Sequence, residues 1–162
     1  GQQLYAGSDW KGAHAAFSEA LSTKHGDRAA GLFQRAMCGM QDKQFDAAIK
    51  DLNETLQLQP QQPEALYQRA CAWRVKRDLQ KALVDMNTAA GMGHLAAAQQ
   101  VAPLQQEIQA EQHFQQARQL FERDDFQGAD QMCAQALATA LTLQGVKCSR
   151  RPSALPMHIA GP

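Results

Sequence analysis

Nothing in this sequence spaces cysteines or histidines as a metal centre needs them. Cys38, Cys71, Cys133 and Cys148 stand far apart without a Cys-x-x-Cys pair. The five histidines, His14, His25, His94, His113 and His158, form no His-x-x-x-His or Glu-x-x-His set. A disulfide framework is equally unsupported in so Ala- and Gln-rich a chain. Three of the thiols lie in helical patterns beside apolar neighbours and read as small core residues of a reducing compartment. An intracellular setting, cytoplasmic or organelle matrix, is the expectation. Also missing are a glycine-rich phosphate loop, a Gly-x-Ser-x-Gly elbow and paired carboxylates near a nucleophile, so no catalytic residue and no cofactor is expected. Sixteen basic residues balance sixteen acidic ones, leaving no global field to gather nucleic acid or an anionic membrane. No apolar run approaches the roughly 20 residues that span a bilayer, and the N-terminus lacks a charged start before an apolar stretch, so a soluble chain is expected. Strand signals are absent too: no sustained alternation, few β-branched residues, no Asn-Gly turn. The fold class is therefore all-α.

What is present is a repeat. Leu32-Phe33-Gln34-Arg35-Ala36 returns 34 residues later as Leu66-Tyr67-Gln68-Arg69-Ala70, and Ala48, Asp51 and Asn53 return as Ala82, Asp85 and Asn87. A fixed period in the range of about 20 to 50 residues marks a stack of similar supersecondary units. Punctuation along the chain places the helices. Asp9 caps a helix carrying Trp10, Ala13, Phe17, Ala20 and Leu21 on one stripe, and Asp27 caps a second over 28–40. A third runs over 44–58 before Pro60. Pro63 opens a fourth over 63–76, and Asp78 caps a fifth over 79–90. Gly91-Met92-Gly93 stops that helix, His94–Val101 can form a short extra one, and Pro103 opens a long one through Leu104, Ile108, Phe114, Ala117 and Phe121. Asp124 and Asp125 then cap a last helix bearing Phe126, Ala129, Cys133 and Ala136. Ala129 follows Ala82 by 47 residues, an insertion of 13 relative to the period. The expected organisation is a helical repeat domain over 1–144: a truncated repeat 1–26, repeats 27–60 and 61–93, an insertion 94–102 and a divergent hairpin 103–144. An irregular tail, 145–162, carries three prolines.

These residues resemble the tetratricopeptide repeat, a helix–turn–helix unit of 34 residues. Its alternation of large and small positions is filled by Leu32, Ala36, Phe45, Ala48, Leu52 and Pro60 in one unit, with Thr55 where a small residue is usual. Leu66, Ala70, Leu79, Ala82, Met86 and Ala89 fill it in the next. Trp10, Ala13, Phe17 and Ala20 match the second helix of a unit cut in half. The resemblance covers about residues 1–90. It implies antiparallel hairpins stacked as a right-handed superhelical solenoid, and a concave groove lined by the first helix of each unit.

On that resemblance the groove side chains are Ala30, Phe33, Met37 and Met40 in one unit, and Glu64, Tyr67, Cys71 and Arg74 in the next. Phe114, Arg118 and Phe121 would continue the row if the last hairpin stacks in register. These side chains suit a peptide or helix of a partner protein, and they would equally serve packing between helices. Arg35 with Asp51 and Arg69 with Asp85, sixteen residues apart in both copies, read as structural bridges. The resemblance implies a protein-interaction scaffold, a subunit or assembly factor of a larger complex. A co-chaperone adaptor gripping acidic chaperone C-termini is the alternative, but Gln34, Glu64 and Gln68 stand where its Asn, Lys and Arg are expected. A further alternative is an RNA-binding repeat, with Arg74, Lys76 and Arg77 as its basic cluster, although no nucleic acid partner is expected. The tail 146–162 is expected to dock through Leu155–Ile159 on this chain or a partner.

Overall fold

The computed structural model describes residues 9–22 and 27–143. Seven α-helices and no strand occur among the described residues: α1 (Trp10–Ser22), α2 (Arg28–Gln41), α3 (Phe45–Leu58), α4 (Pro63–Val75), α5 (Leu79–Gly91), α6 (Leu95–Phe121) and α7 (Phe126–Leu143). The first eight residues of the expected truncated repeat and the expected docking of the tail 146–162 lie outside the described residues. The chain divides into two compact units, Gly1–Gln105 and Gln106–Pro162.

In the first unit, short turns fold α2 onto α3 and α4 onto α5, while α1 packs on α2, α3 on α4, and α2 also touches α4. Size matching produces this stack. Ala36 and Ala70 are fully buried where the helices meet, and Leu32, Leu52 and Met86 fill the space that the alanines leave. Burying each of those large side chains contributes about 1.5 to 3 kcal/mol. Thr55 occupies a small-residue place with no exposure; its hydroxyl donates to the Asp51 carbonyl at 2.8 Å and so carries no unmet hydrogen bond inside. On α1 the stripe is only partly covered: Ala13 is buried, Trp10, Phe17 and Leu21 are half-buried, and Ala20 is exposed.

Four turns share one geometry that no residue pattern announced. Lys43, Arg77, Gly93 and Asp124 all take left-handed backbone, with φ of 59°, 64°, 87° and 61°. In each, that residue's N–H reaches the carbonyl three residues back, and the next N–H reaches five back: Lys43 to Met40 and Gln44 to Gly39, Arg77 to Arg74 and Asp78 to Trp73, Gly93 to Ala90 and His94 to Ala89, Asp124 to Phe121 and Asp125 to Leu120. This double closure satisfies the last carbonyls of the finishing helix. Its final residue then starts the next helix. Asp78 accepts from Lys81 N, Asp125 from Gly128 N at 2.9 Å, and His94 Nδ1 from Ala97 N at 3.1 Å.

One expectation fails at Pro103. Instead of a short helix ending before the proline and a new one opening at it, α6 runs unbroken from Leu95 to Phe121 with Pro103 inside. A proline within a helix removes one hydrogen bond and crowds the carbonyl four residues back, at a cost of about 3 kcal/mol. Good helix formers at Ala96–Gln100 and the full burial of Ala97 and Leu104 on either side offset that cost.

In the second unit the end of α6 turns through Asp124 into α7. Ala117 and Ala129 are buried, and the Phe121 and Phe126 rings meet edge to face at 5.3 Å. Cys133 is exposed here, contrary to its reading as a core thiol, because the stripe it shares with Phe126 and Leu137 is also exposed, whereas Cys38 is buried and Cys71 half-buried.

Candidate functional site

The two bridges set the frame. Arg35 donates from Nε to Asp51 Oδ2 at 2.7 Å and from Nη2 to Oδ1 at 2.6 Å; Arg69 does the same to Asp85 at 2.7 Å twice. Both are forked pairs that orient the guanidinium. The hydrogen bonds that Arg35 donates to Asp51 outweigh its partial burial and push its pKa further up. Each arginine also reaches back to the preceding second helix, Arg35 Nη1 to Ser18 Oγ at 3.4 Å and Arg69 Nη1 to Asn53 Oδ1 at 2.8 Å. One side chain thus joins three helices, a link between units that the sequence spacing did not suggest.

The groove candidates sort into three groups. Phe33 and Met40 are half-buried against the cluster Ala36, Ala48, Leu52 and Ala65, so they are committed in good part to packing between α2, α3 and α4, while Met37 is half-buried and Ala30 exposed. Glu64, Tyr67, Cys71 and Arg74 follow one stripe of α4 at spacings of three and four, with Glu64 exposed and the others half-buried. Phe114, Arg118 and Phe121 belong to the second unit. All three are exposed, and Arg118 lies 3.7 Å from Glu122 one turn on.

The α4 stripe faces the start of α6, which supplies a residue that sequence reasoning missed. The His94 ring stacks on Tyr67 with centroids 4.6 Å apart, and its Nε2 bonds Glu64 Oε2 at 2.8 Å. Because Nδ1 accepts the Ala97 N–H, Nε2 carries the proton in the neutral ring and donates to Glu64. Gln68 Nε2 donates to Glu64 Oε1 at 2.7 Å. Partial burial pushes the Glu64 carboxyl up, but the hydrogen bonds of Gln68 and His94 outweigh it and hold the group below its ordinary value. Burial raises the Tyr67 hydroxyl, helped by Cys71, and burial likewise raises the Cys71 thiol against the opposing hydrogen bond from Tyr67 and charge of Arg74. A thiol held up in this way is a poor nucleophile.

The basic cluster is engaged within the fold: Arg74 donates to Gln100 Oε1 at 3.3 Å, and Lys76 pairs with Asp46. A depression of about 410 Å³ lies over the Arg69–Asp85 pair, lined also by Asn53, Trp73 and Val84, with Lys81 Nζ 4.5 Å from the Trp73 ring centroid. It brings together no nucleophile and base. Among the described residues no three His, Cys, Asp or Glu side chains gather as a metal site, and no helix is long and apolar enough to cross a membrane.

Paired antiparallel helices with small-on-large contacts, repeated on a period of 34 residues, define a helical-repeat fold of the tetratricopeptide type. Solved structures of MamA share the fold. MamA 41-end from Desulfovibrio magneticus RS-1 is 16% identical with a TM-score of 0.51, the match covering 86% of this chain and 71% of that one. The MamA RS-1 ArsTM double mutant gives 16% and 0.51, covering 88% and 72%. Sperm-associated antigen 1 of Homo sapiens is 32% identical over 87 residues, 54% of this chain but 9% of that protein's length. No protein-family model matches the chain.

Proposed function

We propose that the chain is a protein-interaction scaffold, a subunit or assembly factor of a larger complex, that holds a segment of its partner along the first helices α2 and α4 and the start of α6. The observation that carries this reading is the α4 stripe, where His94 fixes Glu64 and Tyr67 and Gln68 donates to Glu64, yet the stripe keeps an accessible edge. Preorganised side chains on a rigid helical face lose little freedom on binding. The shared fold with MamA supports a stacked-helix platform, and the lack of a nucleophile–base pair on the stripe supports binding over catalysis.

The test is capture of partners from native extract by the full chain and by two variants. A specific partner should be retained in stoichiometric amount, lost with Tyr67→Ala, and kept with Val84→Ser, which lies on the exposed side of α5. Capture that ignores Tyr67→Ala sinks the groove reading. Binding of a short acidic C-terminal peptide that weakens in salt would favour an adaptor instead, and RNA binding with a steep salt dependence would favour the basic cluster.

A further inference from the structure

The Glu64 corner offers more than shape. Its two local donors, the His94 Nε2–H and a Gln68 N–H, are both turned onto the carboxylate. His94 has no second donor to give, since its Nδ1 is taken as acceptor by the Ala97 N–H. A carboxylate has about four lone-pair sites, of which these bonds use two. The Glu64 side chain is 48% exposed while that of His94 is 15% exposed, so the anion and not the ring meets an incoming group. What this end of the stripe presents to a ligand is acceptor capacity with a negative charge, one helical turn from the aromatic ring of Tyr67. A carboxylate brought here would meet like charge.

We infer that Glu64 and Tyr67 form a subsite for a cationic side chain, arginine or lysine, of the partner segment. This rests on the reading of the α4 stripe as the partner-binding face. The guanidinium or ammonium bonds the free lone pairs of Glu64, and its alkyl stem lies along Tyr67, which His94 braces from behind by stacking. His94 and Gln68 position the carboxylate and do not contact the cation.

The experiment titrates the isotope-labelled full chain with three capped synthetic peptides of alternating Leu and Ser that differ only at the centre: arginine, its neutral isostere citrulline, or glutamate. The arginine peptide should shift the backbone amides of 64–68 and 94–97 and bind about tenfold more tightly than the citrulline peptide, the effect of one charge-assisted hydrogen-bonded pair. Glu64→Gln should abolish that preference, and Glu64→Asp should restore part of it. Circular dichroism checks that both variants stay folded. Equal binding of arginine and citrulline peptides at these amides overturns the cation subsite and leaves the groove reading standing. A preference for the glutamate peptide does the same. If none of the peptides shifts these amides, the inference falls together with the groove reading on which it rests.

Discussion

Left-handed backbone at Lys43, Arg77 and Asp124 is a cost that a side chain imposes and glycine avoids. Gly93 shows the same turn without it. Lys43→Gly should therefore raise stability by about 0.5 to 1 kcal/mol, read as an upward shift of the denaturant midpoint, with Gly93→Ala shifting it down by a similar amount. The forked bridges act in the opposite sense. Asp51 keeps 7% of its side-chain exposure and Arg35 24%, so removing the arginine leaves a nearly buried carboxylate with one partner fewer. A double-mutant cycle of Arg35→Met and Asp51→Asn should give a coupling of about 1 to 2 kcal/mol, and a value near zero would reduce the pair to a surface contact. The spacing of sixteen residues made both bridges visible in the sequence because it occurs twice. The role of His94 was not visible: a histidine after a glycine carries no sign that one nitrogen will cap a helix and the other will hold a glutamate from 30 residues back. Glu64 is also pH-sensitive. A carboxyl held below its ordinary value adds stability that is present above the unfolded value, about 4.3, and lost as pH falls through the lower folded value. The stability gap between the native chain and Glu64→Gln should accordingly shrink in acid, whereas a constant gap would mean that the Gln68 and His94 bonds survive protonation.

At the scale of helices, the boundaries that the sequence marked with caps and prolines fall within a residue or two of α2 to α5, because Asp27, Asp78 and Pro63 act locally and need no distant partner. Pro103 misled for the complementary reason: whether a proline ends a helix depends on what flanks and buries it. Pro103→Ala should stabilise α6 by about 1 to 3 kcal/mol, visible as slower amide exchange at 99–104, if the missing hydrogen bond is its main effect. The fully buried alanines make a sharper claim about register. Ala36→Leu or Ala70→Leu places three extra heavy atoms where two helices touch and should destabilise by about 1 to 3 kcal/mol. Unchanged thermal stability in both variants would refute the packing. The groove candidates were only half legible at this scale. Phe33 and Met40 satisfied the spacing of a binding face, yet side chains at that spacing also reach the next hairpin, and burial against Ala65 is decided by how closely the hairpins approach.

For the whole molecule, the two compact units differ in how much they bury. In the first, every helix from α2 to α5 contributes several fully covered side chains, and Arg35 and Arg69 tie neighbouring hairpins within it. In the second, Phe114, Phe121, Phe126 and Leu137 are each more than half exposed, and Ala129 is the buried apolar residue of α7 among those described. Stack-like proteins derive their stability from each unit and its contact with the next, so cooperativity follows the coverage of faces. Native-state hydrogen exchange should therefore show α7 opening at lower free energy than α4 and α5, whose amides should exchange only near the global limit. The same experiment on Arg69→Met should lower protection in α3, α4 and α5 together, because that guanidinium joins all three through Asn53 and Asp85, and leave α7 where it was. Uniform loss across all seven helices would instead make the chain a single cooperative unit, with the arginines contributing to one global equilibrium.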